Sequence, residues 1–227
     1  MPTFNDLWDY STYTQLIANT FVVLCCFPIH ECSHAWIASK LGDHTAERSG
    51  RISMNPLRHL DLWGTLLLYA FGMGYAKPVP VNPNNFRNPR KDSAVVYIAG
   101  PISNLIMAVL LMFIESTICH ITGNIVTGTV ISFVIKSLRY AAYVNFQLSV
   151  LNLIPIPPLD GYYILQAFIN KQFISKYETI GSYSSLQSVC MMSGLIFSII
   201  FFRISLISDI TQTLFISVYT LFHQFLH

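Results

Sequence analysis

In the stretch Phe27 to Ala38, F-P-I-H-E-C-S-H-A-W-I-A, His30 and His34 stand four residues apart and Glu31 directly follows the first of them. Positions four apart on an α-helix lie about 40° round the axis, so both imidazoles leave one face and can bind a single cation. Glu31 falls to the side of that face, where its carboxylate can act on water rather than on the ion. H-E-x-x-H is the helical signature of a zinc site. A catalytic zinc keeps three protein ligands and one open position, so a third ligand must come from elsewhere in the chain.

Candidates for that ligand are few. Cys25, Cys26, Cys32, Cys119 and Cys190 form no C-x-x-C pair and read as buried thiols; Cys32, at the variable position of the motif, points away from the ligand face. His44 and His59 fall in a polar loop, His120 lies on the opposite side of the membrane in the topology below, and His223 and His227 are terminal. Asp160 is the remaining acidic residue bordered by apolar sequence on the right face, and a carboxylate oxygen is an acceptable zinc ligand. Asp-Gly also turns chains, so spacing alone leaves Asp160 open between a ligand and a turn residue.

The elements that must position these groups belong in a membrane. Of 227 residues, 53% are hydrophobic and 11% charged, against roughly 25% charged in soluble domains. No Asp, Glu, Lys or Arg occurs from Tyr10 to Ile29, so the motif ends an apolar run about as long as a bilayer span. A charged group near the bilayer centre costs on the order of 2.5 to 3.5 kcal/mol, which argues against a chance H-E-x-x-H at such a place. The net charge of +2 excludes a nucleic-acid partner, and the acidic Asp6 and Asp9 do not fit a cleaved signal peptide.

A first span is predicted from about Tyr13 to Ala38, with Pro28 kinking it before His30. The apolar run Leu62 to Ala76 holds Gly64, Gly72 and Gly74 and is too short to cross. The stretches on either side of it, Lys40 to Asp61 and Lys77 to Asp92, therefore share one face, and their eight of the 13 basic residues mark that face as cytoplasmic. Lys77 to Pro83 alternates proline with valine and reads as an extended edge or hairpin strand, part of a re-entrant element dipping towards the metal. Ser93 to Ile114 crosses back, and Ser116 to Gly128, without Lys or Arg, is an external connection. The next crossing lies between Thr129 and Ile156, with Lys136 and Arg139 either snorkelling or preceding a helix that starts nearer Tyr140. It delivers Asp160 to the side of His30 and His34. Beyond Lys171 and Lys176, Ser182 to Phe202 and Ile210 to Leu226 form a final helical pair.

The fold class expected is an all-α polytopic membrane protein of about five transmembrane helices, with a re-entrant or β-hairpin element after the first. One integral-membrane domain, 1–227, is expected, with a core at about 13–170 and the C-terminal pair at about 182–226.

These pieces taken together carry a resemblance. His30-Glu31-Cys32-Ser33-His34, Leu41-Gly42-Asp43, Gly50-Arg51-Ile52-Ser53-Met54-Asn55-Pro56, Gly64-Thr65, Ala76-Lys77-Pro78-Val79-Pro80-Val81, Gly100-Pro101-Ile102-Ser103-Asn104 and Asn152 to Gly161 resemble the site-2 protease family of intramembrane zinc metalloproteases, in its small stand-alone branch. The match runs from about Thr20 to Asn170. It implies one Zn2+ per chain held by His30, His34 and Asp160, Glu31 as general base, and Asn152 steadying the oxyanion; Asn104 and Asn145 would be structural. It implies a transmembrane protein or peptide as substrate, the lipid bilayer as surroundings, a cell-membrane location and an active site nearer the cytoplasmic face. At Leu62 and Tyr69 many relatives have proline, so the re-entrant segment is expected to differ in shape. Two other readings compete: a membrane metal-binding or ion-transport protein using His30, His34 and Asp160 as a relay, and a catalytically silent relative.

Overall fold

The computed structural model describes residues 11–71, 74–122, 130–155, 159–169 and 205–226, and among them all regular structure is helical. α1 (Thr12–Phe21) opens at Ser11, whose Oγ accepts the Thr14 N–H at 3.2 Å and so caps an otherwise unpaired donor. A π-turn, Val22–Cys26, joins it without a break to α2 (Phe27–Lys40). Pro28 has no N–H to give, and it sits in the first turn of α2 behind that widened turn. The disturbance expected at Pro28 thus falls one turn earlier, and the helix continues through Thr12–Lys40, 29 residues.

Gly42, at φ +106°, turns the chain out of α2 into the one-turn α3 (Thr45–Arg48). α4 (Leu62–Phe71) is ten residues long, too short to cross a bilayer. The chain then comes back along it: the Lys77 N–H donates to the His59 carbonyl at 2.8 Å, so both flanks of α4 end side by side. A Cβ at Gly64 would strike the Tyr75 carbonyl, and one at Gly74 would strike the Gly64 carbonyl, so these two glycines permit the close return. Asn19 Nδ2 donates to the Leu68 carbonyl at 3.2 Å, and the Thr20 and Tyr69 hydroxyls lie 2.7 Å apart, tying α4 to α1. Without proline at Leu62 or Tyr69, α4 is an unbroken helix through both positions. The returning residues around Val79 are extended, yet no strand forms among the described residues, and the hairpin alternative is not seen there. Pro78 and Pro80 remove two of the donors a ladder would need.

α5 (Pro89–Ile121), at 33 residues, runs further than the expected Ser93 to Ile114. With the first helix it is long and apolar enough to span a membrane. α6 (Val130–Asn152) is buried all round from Ala141 to Ser149, because α1, α5 and α8 (Ser205–Leu226) pack about it. Its Val144 and Phe146 share one hydrophobic cluster with Val22, Leu111, Met112 and Phe215.

Arg139 corrects an expectation. It neither snorkels nor precedes the helix: buried within α6, it pairs with the fully buried Glu115 of α5 at 2.5 Å. The Tyr219 hydroxyl of α8 donates to the same carboxylate at 3.0 Å, and its ring lies 5.2 Å from the guanidinium. Residues 182–202, expected as the penultimate helix, lie outside the described residues. α7 (Asp160–Gln166) closes the site.

Candidate metal centre

Three elements converge here. α2 carries His30, Glu31 and His34 on adjoining positions, all buried. α5 passes directly over the two rings at Gly100, where a Cβ would come within 2.5 Å of His30 Cε1 and 2.6 Å of His34 Cε1. No residue with a side chain lets α5 sit this close. α7 begins at Asp160, and Gly161 allows that beginning to press on the end of α6, since a Cβ there would lie 2.5 Å from the Leu153 carbonyl carbon and 2.6 Å from the Ile154 carbonyl oxygen. The glycine after Asp160 thus serves close approach rather than a turn.

The geometry of the three candidate ligands is tight. His30 Nε2 and His34 Nε2 lie 3.1 Å apart, and each is 3.4 Å from Asp160 Oδ2. His34 Nδ1 is 2.8 Å from the Val96 carbonyl. A carbonyl only accepts, so Nδ1 carries the proton and Nε2 presents its lone pair to the other two groups. Asp160 Oδ2 is buried without a hydrogen-bond partner. Lone pairs from two imidazoles and a carboxylate, gathered this closely out of water, repel one another unless a cation lies among them. The residues therefore fit a tetrahedral zinc with one position left open. His34 also has the outer support that metal-binding histidines use, in the Val96 carbonyl. Beside it the Tyr97 ring lies 5.9 Å from the His34 ring and stacks on Tyr163 of α7 at 4.2 Å.

Glu31 stands apart from the trio. Its Oε2 accepts the Val79 backbone N–H at 2.9 Å, so the extended segment after α4 reaches the site through a main-chain group. That segment is pinned at both ends. Arg51 Nη2 donates to the carbonyls of Lys77 and, at 3.1 Å, of Pro78. At the far end Asp43 accepts the Asn82 N–H and the Asn85 amide, each at 2.7 Å, together with the Thr45 hydroxyl at 2.5 Å. Burial pushes the Asp43 carboxyl up, but these donors outweigh it and hold its pKa below the ordinary carboxylate value.

Of the residues singled out in sequence, His30, His34 and Asp160 are brought together and Glu31 lies beside them. Asn152 is the last residue of α6, partly exposed, with no hydrogen bond from its side chain to another described residue. Asn145 is fully buried and donates to Cys26 Sγ and the Ala141 carbonyl; Asn104 is also buried. Sequence reasoning missed the Val96 carbonyl and the Val79 N–H, because motifs mark residues and not main-chain atoms, and it missed the Tyr97–Tyr163 stack, because the two rings come from different helices.

Two buried histidines and a separate acid on a helix of membrane-spanning length, met by a carboxylate at the start of the short α7, make the donor arrangement of a membrane metallohydrolase. The model of peptidase family M50 matches residues 18–201, and the chain belongs to that family. It is 38% identical over 157 residues to the protein named "Putative zinc metalloprotease YwhC" of Bacillus subtilis, covering 69% of this chain and 71% of that one. It is 30% identical over 175 residues to "Putative zinc metalloprotease Rip2" of Mycolicibacterium smegmatis, covering 75% of this chain and 63% of that one. A Rip2 of Mycobacterium tuberculosis is 28% identical over 165 residues, 70% of this chain and 59% of that one. No solved structure matches.

Proposed function

We propose that this chain is an intramembrane zinc metalloprotease that hydrolyses peptide bonds within or beside transmembrane segments of other proteins. The observation that carries the reading is the convergence of His30 Nε2, His34 Nε2 and Asp160 Oδ2 with Glu31 held separately. A relay for ions would place every acidic group in the path; here one carboxylate is set aside for proton transfer.

His30, His34 and Asp160 would hold one zinc, which when bound would supply a Lewis acid for the scissile carbonyl. His34 is kept in the ligand tautomer by the Val96 carbonyl. Glu31 takes a proton from the attacking water as oxygen adds to the carbonyl carbon, and returns it to the leaving nitrogen as the C–N bond breaks. Asn152 steadies the oxyanion by donating its amide. A substrate helix hides its carbonyls in i to i−4 bonds and must unwind first. The extended segment from Val79 to Val81 offers main-chain groups beyond the Val79 N–H, which Glu31 holds, on which an unwound peptide can pair by strand addition.

The membrane arrangement belongs to the same proposal. The chain crosses about five times as one domain in the cell membrane, and Thr12–Lys40, α5, α6 and α8 are the described helices that serve as crossings. α4 and its return form a re-entrant element, and the basic flanks put the site nearer the cytoplasmic face.

The test is a substrate trap. Glu31→Gln in native membranes is expected to retain zinc and to hold transmembrane proteins that lose a fragment when wild type is restored, and scrambling Val79 to Val81 to abolish their capture. Captured proteins that stay intact with wild type, or a zinc flux that Glu31→Gln impairs, would favour the ion-relay reading instead.

A further inference from the structure

We infer that Arg51 is a positioning residue for the general base, acting through the Pro78–Val79 peptide; this rests on the proposed role of Glu31. Arg51 lies in a loop, yet it is only 8% exposed and directs its charge to no carboxylate among its hydrogen-bond partners. Gly50, at φ +64°, sets its direction, and the Arg51 N–H donates to the Ala46 carbonyl at 2.9 Å. The guanidinium is given to two carbonyls, those of Lys77 and Pro78.

The second of these matters most. The Pro78 carbonyl and the Val79 N–H belong to one planar peptide unit, and in a trans peptide they point in opposite directions. Arg51 Nη2 donates to the oxygen at 3.1 Å, and the nitrogen of the same unit donates to Glu31 Oε2 at 2.9 Å. One amide thus stands between a guanidinium and the catalytic carboxylate. A cation at the oxygen draws electron density along the amide and makes its N–H a stronger donor, and the two bonds reinforce each other. The planar unit also converts any displacement of Arg51 into a displacement of the N–H that holds Glu31.

The neighbouring bonds stop this unit from turning. Lys77 is fixed at both main-chain groups, its N–H on the His59 carbonyl and its C=O on Arg51. His59 is itself fully buried, with Nε2 2.8 Å from the Ser53 carbonyl. Pro78 and Pro80 restrict φ on either side of Val79. With Oε2 so held, Glu31 Oε1 makes no hydrogen bond to another described residue and is the oxygen that takes the proton. Lysine replaces Arg51 only in part, because both bonds leave Nη2 of a planar, rigid guanidinium, whose two fixed N–H directions a rotating ammonium on a flexible stem does not reproduce.

The experiment uses the full chain in detergent micelles with a transmembrane peptide as substrate. Wild type, Arg51→Met and Arg51→Lys are compared for kcat, KM, zinc per chain and the hydrogen-exchange rate of the Val79 amide, with Glu31→Gln as the inactive reference. Arg51→Met is expected to lower kcat by about 10- to 100-fold, the usual cost of an outer support, with KM within about twofold and zinc unchanged. Arg51→Lys is expected to fall between, and Val79 to exchange faster in both. In wild type the Val79 amide is expected to exchange more slowly than that of Val81, a comparison that needs no variant. A loss confined to KM, a loss matched by lost zinc, an unchanged kcat, or Val79 exchange indifferent to Arg51 would overturn the inference. Cleavage by Glu31→Gln at the wild-type rate would instead remove the general-base role of Glu31, and no cleavage by wild type would remove the protease reading, whatever the Val79 amide does.

Discussion

Four side chains carry the proposed chemistry, and they are not equally legible. His30 and His34 announce themselves because a helix converts a spacing of four into a shared face, and Glu31 follows from its place between them. Asp160 was ambiguous in a P-L-D-G setting; the resemblance favoured it, and the structure puts its Oδ2 3.4 Å from both imidazoles. The groups that hold them in place are main-chain atoms, the Val96 carbonyl and the Val79 N–H, to which no residue type corresponds. Gly100 lies between these cases: G-P-I-S-N signals close packing without saying against what. The answer, the two imidazoles themselves, yields a prediction. Gly100→Ala places a methyl 2.5 Å from His30 Cε1, so the rings must part. Zinc affinity is expected to fall by about tenfold or more, as when a ligand's support is lost, with helical content by circular dichroism unchanged. Full zinc affinity in this variant would show that the rings yield freely and that α5 does not set their spacing.

Among the elements, the long helices were visible as uncharged runs, whereas their ends and their polar partners were not. α5 extends to Ile121 because Glu115, which reads as the close of an apolar run, is neutralised inside the bundle by Arg139. Neither residue reveals the other from sequence, since Glu115 and Arg139 sit on different helices. Their pairing is about 22 Å along α5 from Gly100 at 1.5 Å per residue, and Tyr219 draws α8 into it. Arg139→Met leaves Glu115 buried without this cation, a loss of about 3 to 5 kcal/mol. A lower unfolding midpoint in detergent is expected, largely recovered by adding Glu115→Gln, with zinc per folded chain unchanged. An unshifted midpoint would mean the pair does not hold α8 to the core. The short α4 was readable as too short to cross, but its return was not. That depends on Gly64 and Gly74 letting the chain lie back on the helix, and on Tyr69 meeting Thr20.

For the whole molecule, composition alone assigned the membrane class, because 11% charged residues cannot cover the surface of a soluble protein of this length. The resemblance from Thr20 to Asn170 and the family match over residues 18–201 agree on the core. The proposed number of crossings rests on more than apolar runs: α6 carries Arg139, Asn145 and Gln147, and that proposal counts it as a span because its neighbours bury them. The central claim is that one metal site is assembled from the first span and from a helix that begins far along the chain, at Asp160. Zinc per chain, measured on the purified protein after dialysis, tests this most directly. One zinc is expected for wild type and for Glu31→Gln, and a metal-depleted protein for Asp160→Ala. Asp160→Ala that keeps one zinc as tightly as wild type would contradict the account.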